Sequence, residues 1–264
     1  MTQKTQTILD RIVADKTEEL AAAKSRAPLA EMRARAERSG APSGFESTLR
    51  GTDIAMIAEV KKASPSRGIL REDFDPVWLA GRYAEGSAAA ISVLTETKHF
   101  QGQLDHLTAI RERLPSGPPL LRKDFLFDEY QLYEGRAAGA DAILLIVAIL
   151  EQPLLETLLA VSRALGLDAL VEVHDEAEME RAAKAVATLI GINNRDLRTF
   201  DIDLVTTERL RPLAPPNATI VAESGIFTRD DMLRLERCGV NAVLIGEGVV
   251  TAPDPADKVR ELLG

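Results

Sequence analysis

Short apolar segments alternate with longer amphipathic segments along the chain from about residue 54 to the carboxyl end. The apolar segments are rich in Val, Ile and Leu, which is typical of parallel strands that are buried on both faces. The longer segments carry apolar residues at helical spacing and end near Gly or Pro, which predicts crossover helices. We predict eight strands, at Ile54–Val60, Ala89–Leu94, Pro119–Lys123, Ala142–Val147, Ala169–Val173, Leu189–Asn193, Ala218–Glu223 and Ala242–Gly246.

This alternation predicts an α/β fold, a (β/α)8 TIM barrel with an N-terminal helical extension. Eight β/α units in residues 51–264 fit the usual size of such a barrel. A doubly wound open sheet is the structural alternative, but it rarely contains eight evenly spaced parallel strands. We therefore expect residues 1–264 to form a single domain, in which residues 1–50 are the extension.

The extension is predicted to be helical from Thr5 to Arg38, with a division at Pro28. Thr7 with Asp10 resembles a capping box at its start. A further short helix is expected at Phe45–Leu49. The extension is rich in charged residues and alanine, so it has too little apolar surface to fold alone. The pattern leaves open whether it acts as a lid or as a stabiliser.

Composition narrows the range of partners. The chain has a net charge of −9 and a sequence pI of about 5.0, which argues against nucleic acid or an anionic membrane as the main partner. Its single cysteine, Cys238, cannot form an internal disulfide and is expected to be a small core residue. No apolar run approaches the length needed to cross a bilayer. We expect a cytoplasmic protein that is a monomer, with a homodimer as the alternative.

Polar residues stand at the carboxyl ends of seven of the eight predicted strands, where the chemistry of such barrels gathers. They are Glu59 with Lys61, Thr95 with Glu96, Lys123 with Asp124, Glu172, the run Asn193–Arg195, the run Glu223–Gly225 and the run Gly246–Gly248. A structural ion pair would account for any one of them, but a polar active-site cup accounts for all seven ends. Alternation along a strand points Lys61 into the barrel mouth and Lys62 away from it.

Two lysines and two carboxylates that face one another suit acid–base chemistry on a carbon skeleton. A crowded, partly desolvated site is expected to lower the pKa of such a lysine and to raise that of a glutamate. The last two strands end in the turns Ser224–Gly225 and Gly246–Gly248, where this fold commonly binds a phosphate. The residues alone predict a lyase or isomerase that acts on a phosphorylated small molecule.

Other kinds of site find less support in the sequence. The three histidines are scattered without ligand spacing, so no catalytic metal is expected, and His174 is expected to be an ordinary loop residue. No Gly-rich dinucleotide fingerprint follows a strand, so no cofactor is expected. Phe100, Phe125 and Leu144 could supply an apolar wall for an aromatic ring, with core packing as the alternative.

A resemblance to a known family runs through all the predicted strands in order and through the first helix. It rests on the segments ILDRIVADKTEEL, IAEVKKASPSRG, AISVLTE, LLRKDFLFDEYQ, ADAILLIVAIL, LVEVHDE, IGINNRDL, VAESGI and LIGEGVV. In these segments the chain resembles the indole-3-glycerol phosphate synthase family. The resemblance implies ring closure of 1-(2-carboxyphenylamino)-1-deoxyribulose 5-phosphate, with release of carbon dioxide and water, in tryptophan biosynthesis.

The resemblance also implies roles for individual residues. Lys123 would be the general acid that activates the substrate carbonyl. Lys61, with Glu59 beside it, would bind the anthranilate carboxylate and assist proton transfer. Glu172 would act as a general base or stabilise developing positive charge, and Asn193 would orient the substrate hydroxyls. The remaining contacts to substrate and phosphate would come from Ser64, Pro65, Phe100, Phe125, Leu144, Arg195, Glu223, Ser224, Gly225, Gly246 and Glu247.

The chain departs from the family pattern in two places. Gln103 follows Phe100 where a Gly-Ser pair is more usual, so the loop after the second strand is expected to differ. Glu247 stands where many members have a serine. A carboxylate beside a phosphate is unfavourable, so we expect the Glu247 side chain to point away from the phosphate.

Three alternative functions remain open at this point. A phosphoribosylanthranilate isomerase would share the barrel but work with a Cys and an Asp, whereas Cys238 precedes the last strand and Glu59 ends the first. A Schiff-base aldolase would use Lys123 as a nucleophile. A barrel that binds a phosphorylated ligand without catalysis is the third alternative.

Overall fold

The computed structural model describes residues 1–264 and contains a closed barrel of parallel strands. The strands are β1 (Ala55–Val60), β2 (Ala63–Ser64), β3 (Gly68–Ile69), β4 (Ala90–Leu94), β5 (Leu120–Lys123), β6 (Ala142–Ile146), β7 (Asp168–Val173), β8 (Leu189–Asn193), β9 (Thr219–Glu223) and β10 (Ala242–Ile245). β2 and β3 form a small antiparallel hairpin in the loop after β1, and the other eight strands form the barrel. β1 pairs with both β4 and β10, which closes the sheet. The predicted TIM barrel is confirmed, and the predicted strand bounds agree to within one residue.

Helices follow the barrel strands, as the amphipathic segments predict. They are α1 (Ile8–Arg26), α2 (Leu29–Arg38), α3 (Phe45–Thr48), α4 (Pro76–Glu85), α5 (Leu104–Arg113), α6 (Glu129–Ala137), α7 (Gln152–Ala164), α8 (Glu176–Lys184), α9 (Val205–Leu210), α10 (Arg229–Arg237), α11 (Glu247–Val250) and α12 (Pro255–Leu263). Several begin at a side-chain cap, such as Asp75 before α4 and the capping box of Asp128 with Gln131 at α6. No helix combines the length and apolar character that a membrane span requires.

One apolar core joins the extension to the barrel. The strand residues are buried almost throughout, because the barrel interior covers one face and the helices cover the other. The same cluster of 66 buried residues includes Leu9 and Ile12 of α1 and Phe45 of α3. A smaller cluster, which contains Leu20 and Met32, packs α1 and α2 against α6. The extension therefore buries its apolar residues against the barrel and not against itself alone.

The start of α1 differs from the predicted capping box. Thr7 does cap the helix, since its side chain accepts a hydrogen bond from the backbone N–H of Leu9. The carboxylate of Asp10, however, accepts from the backbone N–H groups of Thr5 and Gln6 instead of that of Thr7. The reciprocal half of a capping box is therefore missing, and Asp10 orders the chain before the helix. The predicted division at Pro28 is confirmed, because α1 ends at Arg26 and α2 begins at Leu29.

A buried ion pair connects α1 to the end of β5. Lys16 Nζ lies 3.0 Å from Asp124 Oδ1 and 2.8 Å from Glu19 Oε2. Asp124 also accepts hydrogen bonds from the hydroxyl of Thr95 at 2.7 Å and from Arg122 at 3.3 Å. Buried charges persist when they are paired and hydrogen-bonded in this way. Because Asp124 directly follows Lys123 in the chain, the pair fixes the extension next to the end of the strand that carries Lys123.

Candidate active site

A cavity of about 1210 Å³, counted to its open mouth, lies at the carboxyl ends of the barrel strands. All the residues to which the family resemblance assigns a role line this cavity. They are Glu59, Lys61, Ser64, Pro65, Phe100, Lys123, Phe125, Leu144, Glu172, Asn193, Arg195, Glu223, Ser224, Gly225, Gly246 and Glu247. The closure of the barrel brings them together, although they are spread over nearly 190 residues of sequence.

Lys123 occupies the floor of the cavity between two carboxylates. Its Nζ lies 2.8 Å from Glu223 Oε2 and 3.3 Å from Glu172 Oε2; both carboxylates are buried, and the lysine side chain is 13% exposed. Burial acts to lower the pKa of Lys123, but the negative charges of Glu223, Glu172 and Glu59 together raise it above its usual value. The expected lowering of the lysine pKa is therefore wrong. At neutral pH Lys123 is an ammonium ion, which can donate a proton.

Glu172 faces Lys123 on one side and His174 on the other. Burial acts to raise its pKa, but the charge of Lys123 and the neighbouring His174 and Asn193 hold it well below its usual range. His174 lies beyond the end of β7, as expected of a loop residue, yet its imidazole is buried with Nε2 3.3 Å from Glu172 Oε1. His174 is thus a loop residue, as expected, and its side chain also contacts Glu172. Alternation along β7 carries the missed signal, because residues 172 and 174 share a face.

The carboxylate of Glu223 lies at the floor of the cavity. Its carboxylate contacts Lys123, and its Oε1 has no hydrogen-bond partner within the chain. Burial and the charge of Glu172 raise the pKa of Glu223 to about 7 against the opposing effect of Lys123. The expected contact of Glu223 with the substrate or its phosphate stays a prediction, and the carboxylate itself belongs to the floor of the cavity. The turn that follows it is a separate feature.

Two glycines make room for the carboxylates of the floor. A Cβ at Gly191 of β8 would collide with Glu223 Oε1, and a Cβ at Gly246 would collide with Glu59 Oε2. The Glu59 carboxylate there pairs with Lys61 Nζ at 2.6 Å. The absence of side chains at these two positions is therefore a structural requirement of the polar floor.

We expect Gly191→Ala to reduce turnover by about 100-fold, because moving Glu223 by about 1 Å would also displace Lys123. Steady-state kinetics on the purified variant measure this effect. Gly81→Ala in α4 is the matched control, since a Cβ at Gly81 meets nothing within 4 Å. Equal activities for the two variants would show that the packing of Glu223 is unimportant.

Lys61 and Lys62 lie on opposite sides of the chain, as alternation predicts. Lys61 lines the cavity, and Lys62 does not. Lys62 lies near α5 instead, where burial and the charge of Lys62 lower the pKa of His106. Neighbouring lysines in one sequence therefore have different surroundings.

Replacing Lys61 with Ala should lower kcat/KM by about 10- to 100-fold, as expected for the loss of one charge-assisted hydrogen bond to a substrate carboxylate. Lys62→Ala should remain within about twofold of the parent enzyme. Parallel kinetic assays compare the two variants. Equal losses would contradict the alternation of these side chains.

Free backbone donors line the opposite end of the cavity. Ser224 and Gly225 both have positive φ, of 68° and 81°, in the turn after β9. The N–H groups of Ser224, Gly225 and Gly246 donate to no acceptor within the chain. Backbone polar groups are rarely left unpaired, and a concave set of free N–H groups favours an anion. These three groups form the candidate phosphate site.

Glu247 begins α11 beside this candidate phosphate site. Its Oε1 lies 2.7 Å from Arg67 Nη2, on the loop after β1. The ion pair directs the carboxylate toward that loop. This is the orientation expected of a side chain that points away from a phosphate. That the Glu247 carboxylate points away from a bound phosphate stays a prediction.

Apolar side chains cover another side of the cavity. Phe100 and Phe125 have ring centroids 6.2 Å apart at an angle of 35°, close to Leu144. Glu96, expected in the cup, does not line it, and its carboxylate accepts hydrogen bonds from the backbone N–H groups of His99 and Phe100. It thereby orders the loop that holds Phe100. Sequence reasoning did not find the apolar residues that α1 and two loops add, which are Ile8, Leu9, Ile12, Leu197, Phe200 and Phe227.

The chain is similar in sequence to a known protein family. The family model for indole-3-glycerol phosphate synthase matches residues 9–262. The indole-3-glycerol phosphate synthase of Dehalococcoides mccartyi (strain CBDB1) is 54% identical over 258 residues, covering 97% of this chain and 100% of the relative. That of Roseiflexus sp. (strain RS-1) is 51% identical over 265 residues, covering 98% of each chain.

Solved structures with low sequence identity are similar to this chain in fold only. The crystal structure of a 3-hexulose-6-phosphate synthase superposes with a TM-score of 0.63 at 16% identity, over 79% of this chain and 98% of the other. Similarity at that level of identity concerns the barrel and not the reaction. The full-length sequence matches are more specific, and on them the chain belongs to the indole-3-glycerol phosphate synthase family.

Proposed function

We propose that this chain closes the pyrrole ring of 1-(2-carboxyphenylamino)-1-deoxyribulose 5-phosphate, forming indole-3-glycerol phosphate with loss of carbon dioxide and water. It would thus be a carbon–carbon lyase of the carboxy-lyase class in tryptophan biosynthesis. The observation that carries the proposal is Lys123 between Glu172 and Glu223 on the cavity floor. Family membership supplies the identity of the substrate.

Binding at both ends would place the substrate over this floor. The free N–H groups of Ser224, Gly225 and Gly246 suit the phosphate. Phe100 and Phe125 suit the carboxyphenyl ring, and the list of proposed contacts is completed by Ser64, Pro65, Leu144, Arg195 and Glu247, all of which line the cavity. Fixing both ends reduces the entropy lost when the ring closes.

Ring closure joins the aromatic carbon that bears the carboxylate to the ketone carbon of the sugar chain. Lys123 would donate a proton to the ketone oxygen as the new bond forms, and Lys61 would hold the carboxylate until it leaves as carbon dioxide. These roles are supported by the position of both lysines in the cavity lining, with Glu59 2.6 Å from Lys61. The new hydroxyl is then ready for elimination.

Dehydration requires a second protonation and a base. The hydroxyl leaves as water after receiving a second proton from Lys123, which Glu223 has reprotonated, and the carbon next to nitrogen loses a proton to Glu172, which creates the double bond of the indole. Glu223, whose pKa is raised to about 7 by burial and by Glu172, is suited to return a proton to Lys123 at 2.8 Å. Asn193 lies beside Glu172 and would orient the substrate hydroxyls.

The experiment is to follow indole absorbance and fluorescence after adding the carboxyphenylamino substrate to purified protein without metal or nucleotide. Appearance of the indole spectrum, together with release of carbon dioxide, is the expected result. Lys123→Met provides the background rate. Intact, folded protein that forms no indole product would refute the proposal.

The rival enzymes fit the site less well. A Schiff-base aldolase needs a neutral amine, whereas the surrounding carboxylates raise the pKa of Lys123 despite its burial. Borohydride trapping of a substrate adduct on Lys123 would favour the aldolase. An isomerase of the phosphoribosylanthranilate type needs a cysteine in the cavity, and Cys238 lies at the end of α10, outside it. A cytoplasmic location and a monomeric state, with a homodimer as the alternative, remain predictions from the sequence.

A further inference from the structure

His174 is a buried titratable residue to which the proposed reaction assigns no part. Its Nε2 lies 3.3 Å from Glu172 Oε1, an ion-pair distance without hydrogen-bond geometry, and its Nδ1 lies 2.9 Å from Glu178 Oε2, to which it is hydrogen-bonded. The side chain is 12% exposed. An imidazole can donate a proton from both nitrogens only when it is an imidazolium ion. A histidine with a carboxylate at each nitrogen is thus in surroundings that favour its charged form.

The first turn of α8 fixes this histidine from behind. Glu178 lies in that turn, and its backbone N–H donates to the Asp175 cap at 2.9 Å. The same Glu178 Oε2 accepts from the backbone N–H of His174 and from its ring, both at 2.9 Å. The carboxylate therefore holds the backbone and the ring of His174 together. The imidazole cannot turn away from Glu172 without breaking these contacts.

Glu172 needs a second cation during the reaction. When Lys123 gives its proton to the substrate, Glu172 loses the positive charge 3.3 Å away. A buried carboxylate without a partner is costly and tends to take up a proton, which would remove the base. His174 is the other positively charged partner in contact with it.

We propose that His174 is a positioning residue, a fixed cation that keeps Glu172 ionised and oriented while Lys123 gives up its proton. The proposal rests on the proposed function for Lys123 and Glu172. His174 does not itself reach the cavity that holds the reacting atoms. It acts through Glu172.

The other charged groups around the imidazole leave this assignment intact. Burial acts to lower the pKa of His174, but its two carboxylate partners raise it to about 10. The groove that His174 borders on its outer side also carries Lys4 from the N-terminal segment, Asp175 and Arg181 from the α8 region, and Arg195, Asp196 and Arg198 from the loop after β8. None of these six forms an ion pair with the imidazole, whereas Glu172 and Glu178 do.

The kinetic test uses His174→Gln, which removes the charge and retains a hydrogen-bond donor. Without the cation the pKa of Glu172 rises, so the carboxylate forms only at higher pH. We expect the acid limb of the kcat profile, which reports the enzyme–substrate complex, to move upward by about one pH unit or more, the size of shift that an adjacent charge produces. Activity should therefore be depressed most at low pH and recover as pH rises.

His106→Gln is the matched control, because His106 lies on α5 outside the cavity and packs against Phe74 with centroids 5.5 Å apart. Its pH profile should match that of the parent enzyme. A His174→Gln profile that is lowered equally at all pH values, or is unchanged, would overturn the proposal and leave a structural role only.

A second measurement does not depend on activity or on the folding of the variant. The chain has three histidines, so nitrogen-15 NMR of the labelled parent protein can be assigned with His99→Gln and His106→Gln. Both ring nitrogens of His174 should stay protonated from about pH 6 to above pH 8, as follows from a histidine pKa raised by neighbouring carboxylates. A neutral imidazole at pH 7.5 would overturn the proposal. A parent protein that forms no indole product refutes the proposed function instead, while the NMR result still reports the charge on His174.

Discussion

Replacing Lys123 with Met should reduce the rate of ring closure by about 100- to 10,000-fold, the contribution typical of a positioned general acid. Met preserves much of the side-chain volume and removes the proton donor. Substrate should still bind, because the proposed phosphate contacts follow β9 and β10 and Phe100 follows β4, so they do not depend on the Lys123 side chain. Steady-state fluorescence measures turnover, and titration calorimetry with the substrate measures binding.

Lys62→Met is the matched control for this variant, since that lysine does not line the cavity. A Lys123→Met enzyme with turnover within tenfold of the parent would exclude Lys123 as the acid. If the parent turns the substrate over and Lys123→Met binds it without turnover, a barrel that only binds a phosphorylated ligand is excluded as well. If the parent binds the substrate and never turns it over, that alternative is correct.

Lys16→Met should destabilise the protein by about 3 kcal/mol, the lower end of the range for breaking a buried ion pair. The side chains of Lys16 and Asp124 are 6% and 0% exposed, and the variant leaves Asp124 buried with Arg122 at 3.3 Å as its remaining cation. Urea unfolding at pH 7 measures the change. Lys24→Met, on the same helix, is the control, because its pair with Asp128 is solvent-exposed and should contribute less than about 1 kcal/mol.

The Lys16 effect should depend on pH. Burial acts to raise the pKa of Asp124, but Lys16 and Arg122 hold it below its usual value. A carboxyl group with a lowered folded-state pKa stabilises the protein above its unfolded-state pKa, and this stability is lost as pH falls through the folded-state value. The parent and Lys16→Met should therefore differ most at neutral pH and converge in acid. A double variant with Asp124→Asn should lose less stability than Lys16→Met alone, and a greater loss would contradict the uncompensated-charge explanation.

The eight strands and the residues of the cavity were predictable because both depend on local periodicity. A period of two along β1 is enough to separate Lys61 from Lys62, and the barrel rule then assigns strand ends to one site. His174 follows from the same period in β7, two residues after Glu172, and was missed because it was judged as an isolated histidine. The two-residue spacing between Glu172 and His174 is the feature that indicates their shared face.

Other features required knowledge of the distances between strands. The pKa of Lys123 depends on how many carboxylates from other strands converge on it, and Glu223 comes from a strand 100 residues away. The pair of Lys16 with Asp124 spans 108 residues and joins two segments with no common periodicity. For the same reason the contribution of apolar residues from α1 to the cavity could not be predicted from local periodicity.

This contribution of α1 has a consequence for changing the substrate range of the enzyme. Ile8 and Ile12 border the cavity from a helix that is not part of the eightfold β/α repeat, whereas Lys123 and Glu172, the proposed acid and base, belong to β5 and β7. The size of the space offered to an aromatic ring can thus vary through residues of α1, with the strands that carry the proton-transfer groups left as they are. Engineering of this barrel toward bulkier or smaller rings can begin at the helix, separately from the catalytic machinery.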